Sequence, residues 1–175
     1  LPESFRRSFV EAESFLDREL RVIKDSTTTF GEMTVAGHAH IDYAWLWPLS
    51  ETRRKIRRTF ANAVRLSKKY GDFVYSQSSA AMYADIMESD PELFGEIKRL
   101  IFEGRWEAIG GMWVESDTNL VNGESLVRQF LYGQRFFERQ FGKRSRTAWL
   151  PDVFGFTWIL PQIMKKAGID FFFTT

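Results

Sequence analysis

The 175-residue chain contains no cysteine. A disulfide framework, a thiolate nucleophile and a cysteine-ligated zinc site are thereby excluded. The absence fits a reducing compartment, so a cytoplasmic location is the expectation. The charges nearly cancel, 24 Lys+Arg against 23 Asp+Glu for a net +1, so no global field recruits nucleic acid or an anionic membrane. No apolar run approaches the roughly 20 residues that span a bilayer. The opening stretch Leu1 to Val10 is too charged for a secretory signal. Histidine is scarce too, with His38 and His40 the only two. Aromatics are the one surplus, with 17 Phe and 6 Trp. Such a surplus builds buried faces or sugar-stacking surfaces, and core is the commoner use. The chain starts at Leu1 and stops at Thr175 just after an apolar run, and both ends read as cut from something longer.

The pattern along the chain predicts a leading region, residues 1–30, followed by an α/β region, residues 31–175. In the first, Phe5, Phe9, Ala12, Phe15, Leu16 and Leu20 recur at spacings of three and four, an amphipathic helix over about Glu3 to Lys24. Ser26 to Thr29 reads as a short linker. Strand and helix then alternate. A first strand is expected at Met33 to Ala39, then an aromatic loop with Tyr43, Trp45 and Trp47, and a helix from a Ser50 cap to Tyr70 with Gly71 as its stop. Further strands are expected at Phe73 to Ser78, Trp106 to Ile109, Thr147 to Leu150 and Asp170 to Thr174. Helices are expected at Ala80 to Glu88, from Pro91 to near Gly104, at Glu124 to Phe141 and at Ile159 to Ala167. Repeated strand-helix-strand units mean a mostly parallel sheet with helices on its faces, either open or an irregular (β/α) barrel-like closure, incomplete in this chain. Chemistry gathers at the carboxyl ends of such strands.

The polar residues sort accordingly. His40 and Asp42 follow the first strand, Gln77 and Ser78 end the second, Glu115 and Asp117 follow the third, and Asp152 follows the fourth. In extended backbone the spacing of His38, His40 and Asp42 points all three to one side, and a divalent metal can use any of them. Carboxylates crowding one imidazole at about 4 Å repel and desolvate one another unless a cation offsets the cost. Mixed nitrogen and oxygen donors suit zinc, whereas magnesium and calcium prefer oxygen alone. Since an imidazole must be neutral to ligate, metal binding is expected to weaken below about pH 6.

Five blocks then carry a family resemblance. Ala36 to Pro48 closely resembles the opening active-site motif of glycoside hydrolase family 38, the zinc-dependent α-mannosidases. So do Gly110 to Glu115, Asn122 to Gln129, Tyr132 to Phe137, and Trp149 to Gly155, in family order. The resemblance implies that His40 and Asp42 bind zinc, that His38 stands behind them, and that Asp152 is both nucleophile and metal ligand. Related sites accept other divalent ions as well. It implies that Trp45 lines the sugar subsite with Phe154 as a second wall. It implies retaining hydrolysis of a mannoside through a covalent mannosyl-Asp intermediate. Apart from the resemblance, Glu115 and Asp117 are candidates for contacting substrate hydroxyls, against the ordinary reading of charges in a surface loop as simply solvated. The family's acid/base aspartate and a further zinc-binding histidine are expected beyond Thr175, so little activity is expected of these residues alone.

The family commonly has proline and cysteine where this chain has Ser116 and Thr118, which puts the shape of that loop in question. A metal-dependent amidohydrolase or polysaccharide deacetylase is the main rival, because His-x-His after a first strand also opens such sites. A non-catalytic sugar-binding piece is the rival of another class. Arg53, Arg54, Lys55, Arg57 and Arg58 could suggest nucleic acid, but Ile56, Phe60, Ala63 and Val64 trace one apolar helical face, which makes the basic residues its solvated side. Gly110 and Gly111 lack the Lys-Ser or Lys-Thr helix start of a phosphate loop.

Overall fold

A computed structural model describes residues 2–28 and 31–175. They form two units, Leu1–Thr34 and Val35–Thr175. In the first, helix α1 (Glu3–Ser26) presents its apolar residues on one stripe, and none of its residues is buried. The expected linker is shorter than its four residues suggest, because Ser26 closes α1. Thr29 and the expected boundary at residue 30 lie outside the described residues.

The second unit alternates helices with short strands. In chain order these are α2 (Leu49–Lys69), β1 (Tyr75–Gln77), α3 (Ala80–Ser89), α4 (Pro91–Phe102), β2 (Trp106–Ala108), α5 (Gly123–Phe141), β3 (Thr147–Trp149), α6 (Leu160–Lys166) and β4 (Phe171–Phe173). The helix limits follow local chemistry. Asp90 accepts the Leu93 N–H (3.1 Å) ahead of Pro91, and Asn122 accepts the Ser125 N–H (2.8 Å). Gly142, in the left-handed region, ends α5. Ser50 does not cap α2, which starts a residue earlier behind Pro48 without a side-chain cap. Its entry is set instead by Thr52, which takes the Trp47 indole N–H (2.9 Å) and bonds the Asp42 carbonyl (3.3 Å). Gly71 lies past the helix, whose extended C-cap is Tyr70.

Strands β1 and β2 pair in parallel, as do β3 and β4. One bond, Gly110 N–H to the Thr147 carbonyl (3.0 Å), links the two pairs. Successive strands thus stand side by side, as a parallel α/β chain requires. The barrel-like closure goes further than the structure: among the described residues the pairing amounts to two two-stranded sheets. The expected first strand is also reduced, to a single parallel bridge at Gly37 opposite Tyr75. Met33 and Val35 are largely exposed, so no buried face holds the run in a ladder. Pairing survives where glycine allows it, since a Cβ at Gly37 would meet the Phe73 and Tyr75 rings at 3.0 Å.

Among the described residues the five largest fully buried side chains are aromatic: Trp106, Tyr83, Phe60, Phe130 and Phe137. Phe60, Tyr83, Trp106 and Phe137 are all buried in one cluster with Ile56, Ile97 and Leu100. Its polar edges are satisfied: the Trp106 indole donates to Tyr83 (2.8 Å), whose hydroxyl donates to the Gln77 carbonyl (2.9 Å). A second cluster, with Met112, Leu126, Phe130 and Leu150, lies under α5 and α6. Arg53, Arg54, Lys55, Arg57 and Arg58 of α2 are exposed opposite its buried face. Three of them reach acidic partners, Arg53 to Asp85, Arg57 to Asp90 and Arg54 to Glu51.

Helix α5 meets the loop after β2 at Gly133. A Cβ there would fall 2.4 Å from the Gly111 carbonyl oxygen and 2.5 Å from the Met112 carbonyl carbon. Backbone cannot swing aside as a side chain can. We expect Gly133→Ala to cost about 1–3 kcal/mol through overpacking, read as a lower denaturant midpoint. An unchanged midpoint would mean that helix and loop separate freely.

Candidate active site

Three segments converge at the carboxyl ends of the strands. The segment after the Gly37 bridge carries His38, His40 and Asp42, and β1 holds it by two contacts. The Gln77 amide donates to the Ala39 carbonyl (3.1 Å), and His38 Nδ1 donates to the Ser76 carbonyl (2.9 Å). The other nitrogen of His38 accepts the Trp149 indole N–H from β3 (3.2 Å). These bonds define a neutral ring with its proton on Nδ1. Burial also holds the His38 pKa below the usual imidazole value, with the Ser76 bond opposing. His38 is therefore used up as a brace between β1 and β3.

His40 faces the pocket. Its Nε2 lies 3.4 Å from Asp42 Oδ1 and 3.4 Å from Asp152 Oδ2. One ligand atom from each of His40, Asp42 and Asp152 can be chosen so that all lie within 4.8 Å of one another. Two donors about 2.1 Å from a common zinc ion at tetrahedral angles stand about 3.4 Å apart. The donor set thus fits a divalent cation in both chemistry and spacing. Excess negative charge points the same way, since Asp42, Asp152 and Glu115 surround one imidazole.

Glu115 comes in from behind. Its side chain is only 9% exposed, and one oxygen lies 3.1 Å from His40 Nδ1. Those two atoms are buried without a well-directed hydrogen bond, whereas the other carboxylate oxygen accepts the Ser78 hydroxyl. Burial raises the Glu115 pKa above the usual carboxylate value, against the opposing effects of Ser78 and His40. Tyr43 completes one wall. Its hydroxyl donates to Asp85 (2.6 Å), and burial, with that bond second, pushes its pKa up to about 12.

The pocket is lined by His40 to Ala44, Glu115, Asp152 and Val153. It unites His40, Asp42 and Asp152, but three other expected site residues lie outside the lining. Trp45 is 66% exposed and packs edge-on against Trp47. Phe154 is 92% exposed. One oxygen of Asp117 takes the backbone N–H groups of Asn119 and Leu120 (2.7 and 2.8 Å), so it shapes its own turn. Glu115 and Tyr43 are the lining residues that motif reasoning underweighted. For Glu115 the available signal was its place just after the β2 strand end.

Residues 31–175 match the N-terminal domain of glycosyl hydrolases family 38, and the chain belongs to that family. Among curated relatives it is 45% identical over 138 residues to alpha-mannosidase G of Dictyostelium discoideum, covering 79% of this chain and 13% of that protein. It is 39% identical to alpha-mannosidase of Saccharomyces cerevisiae, covering 99% of this chain and 16% of that protein. The chain thus spans under one fifth of the length of these two relatives. The fold resembles the crystal structure of an alpha-mannosidase from Enterococcus faecalis V583, with a TM-score of 0.72 at 23% identity over 79% of this chain and 16% of that one.

Proposed function

We propose that the full-length protein containing these residues is a zinc-dependent, retaining α-mannosidase acting on mannosides or mannose-containing glycans. The observation that carries the reading is the convergence of His40 Nε2 with the Asp42 and Asp152 carboxylates at the strand ends of a family 38 chain. His40, Asp42 and Asp152 are the residues that would hold the metal. When bound there, a divalent cation supplies positive charge that binds vicinal sugar hydroxyls and keeps Asp152 ionised.

Asp152 supplies the nucleophile. Its carboxylate is half exposed at the pocket mouth, with one oxygen 3.4 Å from His40 Nε2. The Asp152 oxygen bonds to the anomeric carbon as the glycosidic C–O bond breaks, and the leaving oxygen takes a proton from an acid contributed by another part of the protein. Water then attacks the same carbon from the vacated face, gives its proton to that residue, and frees Asp152. Two inversions give net retention. Trp45, Phe154 and Asp117 stand on loops flanking the pocket and serve as substrate contacts once a sugar is seated.

The test uses the full-length protein and an aryl α-mannoside. We expect hydrolysis in which the first-formed sugar, followed by proton NMR before mutarotation, is α-mannose. Release of β-mannose would overturn the retaining mechanism, and inertness toward mannosides with cleavage of amides would overturn the glycosidase reading.

A further inference from the structure

Glu115 has no part in the reaction just described, yet its burial is expensive. A carboxylate 9% exposed, with one oxygen lacking a directed partner, is stable only if something in the working protein engages it. The structure invests heavily in placing it there. The Met112 and Trp113 carbonyls accept the N–H groups of Ala80 and Ala81 at the start of α3 (3.1 and 2.9 Å). Trp113 and Val114 in turn donate to the backbone and side chain of Gln129 on α5 (both 2.9 Å). Gly110 and Gly111, both at positive φ, turn the chain out of β2, and Ser79, also at positive φ, turns it out of β1 beside Ser78. The two turns deliver the Ser78 hydroxyl onto one Glu115 oxygen and leave the other against His40 Nδ1.

We infer that Glu115, held by Ser78, is the positioning residue of His40: it takes the ring Nδ1–H and thereby leaves Nε2 without a proton, its lone pair facing the position where a cation would be shared with the Asp42 and Asp152 oxygens. The inference rests on the metal-site reading above. An imidazole has one proton to place when neutral, and a carboxylate behind Nδ1 settles where it goes. The same contact fixes the ring plane, because Nδ1 and Nε2 then have partners on opposite sides. Ser78 keeps the carboxylate from turning away.

The experiment measures zinc affinity of the full-length protein by competition with a chromophoric chelator, for wild type, Glu115→Gln, Glu115→Ala and Ser78→Ala. Loss of an outer carboxylate behind a metal-binding histidine typically costs about 10–100-fold in affinity. We expect a loss of that size in Glu115→Ala and smaller losses in Glu115→Gln, whose amide oxygen still accepts the ring N–H, and in Ser78→Ala. Glu115→Gln keeps the volume and removes a buried charge, so its metal-free unfolding midpoint is expected to be no lower than wild type. That separates positioning from mere structural support. Zinc binding within twofold of wild type in both Glu115 variants would overturn the inference while leaving the metal site intact. If the wild type itself binds no zinc, the metal-site reading fails and this inference fails with it.

Discussion

Replacing Asp152 with asparagine in the full-length protein is expected to lower kcat on an aryl α-mannoside by on the order of 10⁴-fold, with little change in the unfolding midpoint. The two halves of that expectation come from the same geometry. The Asp152 side chain is 51% exposed, and one of its oxygens lies 3.4 Å from His40 Nε2. Folding therefore asks little of it. Asparagine keeps the size and one coordinating oxygen but cannot form the acylal-type ester that carries the sugar between steps. Metal content, measured on the same sample, should fall far less than turnover. A mechanism-based label makes the assignment direct: a fluorinated mannosyl fluoride should trap a sugar on the peptide containing Asp152. Labelling of a different carboxylate, or wild-type turnover by the variant, would remove Asp152 from the nucleophile role.

His40→Ala is expected to weaken zinc binding by on the order of 10²–10³-fold. Structural zinc sites are worth about 10–16 kcal/mol, so one ligand among four accounts for about 3 kcal/mol. His40 is the only nitrogen donor in the group with Asp42 and Asp152. His38 offers no substitute, because both of its ring nitrogens are engaged by Ser76 and Trp149. Dialysis against a chelator should abolish mannoside hydrolysis in the wild type, and added zinc should restore it. In His40→Ala the same zinc concentration should restore little. Chelator-insensitive hydrolysis by the wild type would rule out a metal in the reaction.

Helices were legible in the sequence because their signals are local. The spacing of Ile56, Phe60, Ala63 and Val64 marks the buried face of α2, and Pro91 marks the first residue of α4. Short strands were harder to bound, because pairing is decided elsewhere in the chain. Met33 to Ala39 has the composition of a strand, yet only Gly37 finds a partner. The site divides along the same line. His-x-His-x-Asp identifies three candidate ligands and spacing alone does not choose among them; the family resemblance set His38 behind the others, and the structure supplies the physical reason, since Ser76 and Trp149 occupy both of its ring nitrogens. Glu115 looked like one more solvated loop charge, and its burial depends on Ser78, 37 residues earlier. Trp45 and Phe154 were matched by motif, and the structure leaves both exposed and outside the pocket lining.

The His38 brace also bears on the order of assembly. Its bond to Trp149 spans 111 residues and crosses from the segment holding His40 and Asp42 to the strand that precedes Asp152. Contacts of such separation close late, after the local helices and neighbouring strand pairs have reduced the entropy of the intervening chain. On the proposed metal-site reading, capture of a cation by all three side chains belongs to the end of folding. A chain that has collapsed without docking β3 holds His40 and Asp42 alone, a weaker trap for a cation. On that reading metal retention would serve as a readout of completed folding, because only the docked chain offers all three donors.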